Sequence, residues 1–287
     1  MHITPSGKAL GADISGVSLA AAAHDPDAIA TIRQALLDHL VLRFRGQDLT
    51  DPDLMAFAGA FGDLDLAPIN PYGNKPYLPD FPKVGVISNI VVDGRPQGSL
   101  GSGESKWHSD MTYKADPPMG CVLYALEVPA EGGNTGFANM YAAYAALPEH
   151  LKRAVQGRSA KHDSSINSAG QTRHGFKDAY DDPADIPGAV HPLVRRHPET
   201  GRPALFLGRR RNSYVIGMDK AGSDALLDEL WAFATRPEFT WTQEWRVRDV
   251  LMWDNRATLH RRDAIDPAKP RMMHRAQIRD AAPVTAA

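Results

Sequence analysis

Three residues of this chain have the right types to share one metal ion. His108 and Asp110 stand two apart in Trp107-His108-Ser109-Asp110, and His260 closes the distant run Trp253-Asp254-Asn255-Arg256-Ala257-Thr258-Leu259-His260. Two imidazoles and one carboxylate on one face of an ion leave its remaining positions open. That arrangement suits Fe(II) and dioxygen chemistry, although the same donors also accept Zn, Mn or Co. In extended chain the side chains at i and i+2 point the same way. A strand, or a loop leaving a strand end, over residues 107–112 would therefore aim His108 and Asp110 at one point while Ser109 turns aside. A His-x-Asp triplet by itself is a weak signal, since chance supplies it easily.

Two arginines strengthen it. Arg271 follows His260 by eleven positions and Arg275 follows by four more. If residues 271–279 are extended, Arg271, Met273, Arg275, Gln277 and Arg279 share one face and Met272, His274, Ala276 and Ile278 share the other. A guanidinium pointing into a core is costly unless it meets an anion, and its planar fork matches a carboxylate. Two inward arginines on one strand imply two anionic groups beside the metal. The plainer alternative is an edge strand with both arginines in water.

The elements that must position these residues can be read from periodicity and punctuation. Asp25 caps and Pro26 opens a helix carrying Ile29, Ile32, Leu36, Leu37 and Leu40 at helical spacing. A short strand, 41–44, follows. Thr50 or Asp51 caps a second helix with Leu54, Phe57, Ala58 and Phe61, ended by Gly62. Residues 84–88 and 121–128 read as strands, 140–146 and 148–155 as helices. Further strands are expected at 190–196, 203–207, 239–246, 250–253 and 271–279, and a helix at 223–235. Three stretches, 66–82, 92–106 and 158–189, are rich in Gly, Pro, Ser and Asp and read as loops or lids. Short strands dominate the second half, so the expected fold is mixed α and β, a double-stranded β-helix (jelly-roll) core with flanking helices, in a single domain spanning 1–287.

Bulk properties exclude several classes. The 287 residues carry a net charge of −2, which gives no global attraction to nucleic acid or an anionic membrane. Arg209-Arg210-Arg211 is a short basic cluster that reads as a solvated face. The single cysteine, Cys121, rules out a disulfide framework and thiolate metal sites within one chain, and its apolar surroundings suggest core packing. No apolar run has membrane-spanning length. The start of the chain lacks a basic region followed by an apolar one, so a cytoplasmic protein is expected.

On these residues the chain resembles the Fe(II)- and α-ketoglutarate-dependent dioxygenases related to taurine dioxygenase and the phenoxyalkanoate-degrading dioxygenases. The resemblance runs from about Thr4 to Arg279. Its anchors are Phe44-Arg45-Gly46-Gln47, Phe61-Gly62, Trp107-His108-Ser109-Asp110, Gly132-Gly133-Asn134-Thr135, Trp253-Asp254-Asn255-Arg256 and His260 followed by Arg271. Thr135 follows the carboxylate, and Arg271 follows His260, at the family's spacings. The resemblance implies that His108, Asp110 and His260 ligate Fe(II). It implies that Arg271, with Thr135, binds the distal carboxylate of the cosubstrate α-ketoglutarate, and that dioxygen is the second cosubstrate. Arg275 matches the position that holds the anionic group of the prime substrate. The implied reaction hydroxylates a small organic anion (a carboxylate, sulfonate or sulfate ester), with C–O or C–S cleavage where the hydroxylated carbon bears a leaving group. It is coupled to decarboxylation of α-ketoglutarate to succinate and CO2. Related halogenases lack the carboxylate that Asp110 supplies, so hydroxylation is expected rather than halogenation. A homo-oligomer, dimer or tetramer, is implied by the same analogy.

Substrate contacts are less determined. Taurine dioxygenase holds taurine with a histidine and a tyrosine where this chain has Ala67 and Asn70, which counts against taurine. Asn70 and Tyr72 in the first loop, together with the 158–189 segment, are candidates for lid contacts. Tyr113, Phe206 and Tyr214 are candidates for an aromatic substrate wall, each equally readable as core. Asp254 or a backbone carbonyl is a candidate to orient His260 or its loop. Two other classes fit part of the pattern. A zinc hydrolase could use the same His/Asp/His set but gives no reason for Thr135 and Arg271. A non-catalytic jelly-roll binding protein would be expected to lack a triad member.

Overall fold

The computed structural model describes residues 1–70, 75–173, 175–208 and 211–287. Tyr72, Arg209 and Arg210 lie outside the described residues. Two sheets dominate the rest. The larger has eight strands in the order His2–Pro5, Ala12–Ser15, Val41–Phe44, Val250–Asp254, Gly120–Glu127, Met272–Ile278, Val84–Ser88, Ser99–Leu100. The smaller has four, ordered Ser105–His108, Thr258–Arg262, Thr135–Asn139, Thr240–Gln243.

Alternation along the strands explains how the layers stack. In Gly120–Glu127, Cys121, Leu123 and Ala125 join a core shared with Phe137 of the smaller sheet. Val122 and Tyr124 face the other way, into a second core with Ile32, Leu36, Leu54 and Phe57 of the N-terminal helices. Both faces of this strand are thus buried, which is why it reads as an unbroken apolar run. Leu36, Leu54 and Phe57 are almost wholly removed from water, each contributing roughly 1.5–3 kcal/mol of burial. Gly120 is required where it stands: a Cβ there would lie 2.5 Å from the carbonyl oxygen of Trp253 on the neighbouring strand.

The two N-terminal helices form where their caps place them. Pro26–His39 is capped by Asp25, whose carboxylate accepts from the backbone N–H groups of Asp27 and Ala28. Asp51–Gly59 has a reciprocal capping box between Thr50 and Asp53, and it ends before Gly62. The helix expected at 223–235 is longer, Lys220–Ala234, because Asp219 caps it.

Several strands escape the sequence pattern. Ala12–Ser15, Thr135–Asn139 and Thr258–Arg262 were not expected, and the strand expected at 239–246 is confined to Thr240–Gln243. The three loop stretches also hold regular pieces. Ile69–Asn70 pairs with Lys75–Pro76, Val91–Val92 with Arg95–Pro96, and Ser159–Lys161 with both Val190–Pro192 and Tyr214–Val215. Two-residue ladders and polar strands carry too little hydrophobic alternation to show in sequence. Among the described residues, no helix is long and apolar enough to cross a membrane.

Candidate metal centre

The smaller sheet brings the two histidines together. His108, the last residue of its strand, lies opposite His260 on the adjacent antiparallel strand. Between Ser105 and His108 the register shifts: three steps along one strand match two along the other, from Arg262 to His260. Such a bulge re-aims side chains beside functional sites, and here it sets His108 across from His260. The two rings sit 4.1 Å apart. Asp110 is not on the strand. It lies in the turn after it, next to Met111, whose φ is 50°. The loop alternative for this motif is therefore the one realised.

The carboxylate completes the cluster. Asp110 Oδ1 is 3.7 Å from His108 Nε2 and 3.9 Å from His260 Nε2. One ligating atom from each residue falls within 4.8 Å of the others, a spacing that could hold an ion. His108 Nδ1 lies 2.6 Å from the Lys106 carbonyl, so it carries the proton and leaves Nε2 free to ligate. Phe137 stacks on the His260 ring, and Trp253 lies 5.1 Å from it.

Asp110 is held on all sides. Its backbone N–H donates to Asn255 Oδ1 at 2.7 Å, and its carbonyl accepts from Asn255 Nδ2 at 3.0 Å. Asn255 Nδ2 also donates to the Pro118 carbonyl. Ser109 is pinned by its hydroxyl to the Thr258 carbonyl, at 2.6 Å. Burial alone would push the Asp110 carboxyl up. The Arg275 guanidinium, followed by His108 and His260, more than offsets this and holds it well below the usual carboxylate range. Asp110 is thus an anion ready to ligate at neutral pH.

Arg275 reaches the centre, donating from Nη1 to Asp110 Oδ2 at 3.3 Å and from Nη2 to Gln277. The expected face division holds along Met272–Ile278. Met273 joins the core between the sheets with Arg275 on its side, while Ala276 and Ile278 pack toward the helices. Arg271 immediately precedes the strand, buried, with no acceptor for its guanidinium among the described residues. Its stem passes Gly133, where a Cβ would come within 3.4 Å of Arg271 Cδ and Nε. Gly133 also has a φ of 65°, so both space and backbone favour glycine there. Burial, and after it the charge of Arg262, pulls the Arg271 pKa down to about 9. Thr135, in ladder with Arg262, accepts from Trp245 Nε1 at 2.9 Å, and the Arg271 guanidinium stands 6.0 Å from the Trp245 ring.

The remaining candidates are more dispersed. Tyr113 lies under the Arg173 guanidinium, 4.2 Å away, and its carbonyl accepts from Ala189. The 158–189 segment thus rests on the loop that carries Asp110. Phe206 is fully buried against His162 and His191 and beneath Arg195, none of them a triad member. Tyr214 pairs with Lys161. Asn70 lies on the short strand Ile69–Asn70, where it pairs with Lys75. Asp254 is engaged elsewhere. Its carboxylate is taken by His197 and Arg256, and the pair orders the turn that leads to His260.

Two contributors were missed in sequence. Asn255 stands in the sequence only as part of the anchor Trp253-Asp254-Asn255-Arg256, and nothing there signals its grip on Asp110. Cys121 is buried as expected but not inert in placement: its thiol donates to Asp110 Oδ2 at 3.3 Å. Burial and the Asp110 charge push that thiol well up, so it is a neutral donor and no thiolate ligand.

Comparison with known proteins decides the family. Residues 2–277 match the model of the taurine catabolism dioxygenase TauD, TfdA family. The chain belongs to this dioxygenase family. It is 34% identical to an (S)-phenoxypropionate/α-ketoglutarate dioxygenase of Delftia acidovorans, over 95% of this chain and 93% of that one. It is 31% identical to an α-ketoglutarate-dependent sulfate ester dioxygenase of Pseudomonas putida, over 99% and 91%. The crystal structure of AAD-2 in complex with Mn(II) and N-oxalylglycine matches with a TM-score of 0.81 at 30% identity, covering 99% of this chain and all of that one. The resemblance read from the motifs is therefore correct, and the protein is an α-ketoglutarate-dependent dioxygenase.

Proposed function

We propose that this enzyme uses Fe(II), α-ketoglutarate and dioxygen to hydroxylate a small organic anion of the carboxylate, sulfonate or sulfate ester class. The observation that carries this reading is a pair of inward cations with different partners. Arg275 already meets the carboxylate of the triad, whereas Arg271 is buried with no anion among the described residues. A buried unpaired guanidinium is costly, and a dicarboxylic keto acid supplies the missing charge. A zinc hydrolase would leave Arg271 without a partner.

The residues fit the groups. His108, Asp110 and His260 offer two nitrogens and a carboxylate from one side, leaving positions for a bidentate keto acid and dioxygen. Arg271 and the Thr135 hydroxyl would hold the distal carboxylate of α-ketoglutarate. Thr135 Oγ1 accepts from Trp245, so its own proton stays free to donate. Ser105 Oγ and the Nε atoms of Arg262 and Arg271 are buried polar atoms without hydrogen bonds among the described residues. When bound, iron with the keto acid and dioxygen supplies oxidising power for C–H hydroxylation, coupled to release of succinate and CO2. The protein's part is to orient, to exclude water and to fix charge. Arg275 would hold the substrate anion beside the metal, and Tyr113, Asn70 and Phe206 are the further candidates for substrate contacts. Relatives acting on a phenoxypropionate and on sulfate esters support an anionic substrate.

The finer architecture belongs to the same proposal. The facing eight- and four-stranded sheets, with the metal ligands rising from the smaller, are assigned as a double-stranded β-helix. A homo-oligomer is carried over by analogy. The test of function is succinate release with Fe(II) and ascorbate across a panel of organic anions. Dioxygen-dependent succinate formation stimulated by a carboxylate, sulfonate or sulfate ester is expected. Substrate conversion without dioxygen would contradict the reading.

A further inference from the structure

Arg262 is a third inward guanidinium that the family motif does not account for. It lies two residues after His260, and in the ladder it faces Ser105 on one side and Thr135 on the other. Thr135 and Ser105 therefore flank it in the layer one step below the metal ligands. It is buried and has no carboxylate partner among the described residues. Its Nη2 is anchored to the carbonyls of Gly103 and Leu100, in the loop 92–106, and its Nε makes no hydrogen bond among the described residues. Its charge is felt by Arg271, whose protonated form it disfavours.

Burial costs each guanidinium its hydration, and the positive charge of Arg262 adds to that cost at Arg271. Backbone carbonyls satisfy part of Arg262 but do not neutralise it. An anion bound beside both would offset that cost. We propose that Arg262 is a second cationic contact for the distal carboxylate of the keto-acid cosubstrate, with Arg271 the first. The inference rests on the α-ketoglutarate reading and deepens it. Arg262 also ties the 92–106 loop to the pocket, so that loop becomes part of the cosubstrate wall. The consequence is selectivity: the enzyme should discriminate a dicarboxylic from a monocarboxylic 2-oxoacid more strongly than one arginine allows.

The test uses Mn(II)-loaded protein, which binds without turnover, and isothermal titration with α-ketoglutarate and with 2-oxopentanoate, the same chain without the distal carboxylate. Arg262→Gln, which keeps a donor for the loop carbonyls, should lose about tenfold in affinity for α-ketoglutarate, the scale of one charge-assisted hydrogen bond. It should lose nothing toward 2-oxopentanoate. An Arg262→Gln protein with unchanged α-ketoglutarate affinity, or one that loses both keto acids equally, would overturn the inference. Arg271→Met gives an independent reading should Arg262→Gln not fold. With Arg262 still in place, the diacid should remain preferred over the monoacid, and loss of all preference would mean Arg271 acts alone. Wild-type protein that binds neither keto acid would sink the cosubstrate reading itself. Tight wild-type binding with an indifferent Arg262 sinks only the inference.

Discussion

The two ends of the site differ in how their charges are balanced. At the metal end every group is already engaged. Asp110 is gripped by Asn255 and paired with Arg275, His108 is oriented by the Lys106 carbonyl, and Cys121 donates to the same carboxylate. At the cradle end two buried guanidiniums, Arg271 and Arg262, have no carboxylate partner among the described residues. The first region is preorganised by its own side chains. The second is incomplete without a ligand. The difference teaches that the triad is held in place by the protein itself, while under the proposed assignment the distal carboxylate of the cosubstrate would balance the charge of the cradle.

The largest effect that would sharpen this contrast is expected in the cradle. Arg271→Met should weaken α-ketoglutarate roughly a hundredfold, since a charge-assisted bidentate contact contributes about 3 kcal/mol. Metal affinity measured without keto acid should stay as in wild type. Equal losses of both ligands would erase the distinction between the two ends. Arg275→Gln should act on a third ligand. It should raise the KM of the prime substrate by roughly tenfold or more while uncoupled α-ketoglutarate turnover persists. If it weakened only α-ketoglutarate, the two arginines would have been assigned the wrong way round.

How much of this was visible in the sequence depends on the distance over which each contact acts. The convergence of the triad could be read because its residues stand at the spacing of the family's motif. The division of faces along Met272–Ile278 could be read because strands have a strict period. Thr258–Arg262 could not: its inward positions are Thr258, His260 and Arg262, so polar function replaces the apolar alternation that marks a strand. Asn255 was hidden because its partner Asp110 lies 145 residues away. Arg262 carries no signal in the sequence, since nothing local shows that Ser105 and Thr135 flank it. The Cys121 contact was hidden similarly, because an apolar run gives no hint of what its one thiol faces.

Smaller effects probe each end separately. Asn255→Ala removes the clasp on the Asp110 loop and leaves buried backbone groups unpaired. Mn(II) affinity should fall about tenfold, in the range of lost supporting contacts around metal ligands, with a lower Tm. An unchanged affinity would mean the turn holds itself. The mildest probe is pH. Arg271 must be protonated to hold a carboxylate, and its pKa is pulled down to about 9 chiefly by burial and then by Arg262. Deprotonation therefore begins below the usual arginine range, and α-ketoglutarate affinity should decline as pH rises through about 9. In Arg262→Gln that decline should move to higher pH, because a neighbouring positive charge is gone. Titration of Mn(II)-loaded protein across that range checks both.

The most direct test is an anaerobic titration of the wild-type protein with Fe(II) followed by α-ketoglutarate, observed by visible absorption. A weak charge-transfer band that needs both additions, and that is absent from the Asp110→Ala protein, is the predicted result. Tight iron binding with no band on adding the keto acid, or a band that persists without Asp110, would contradict the account.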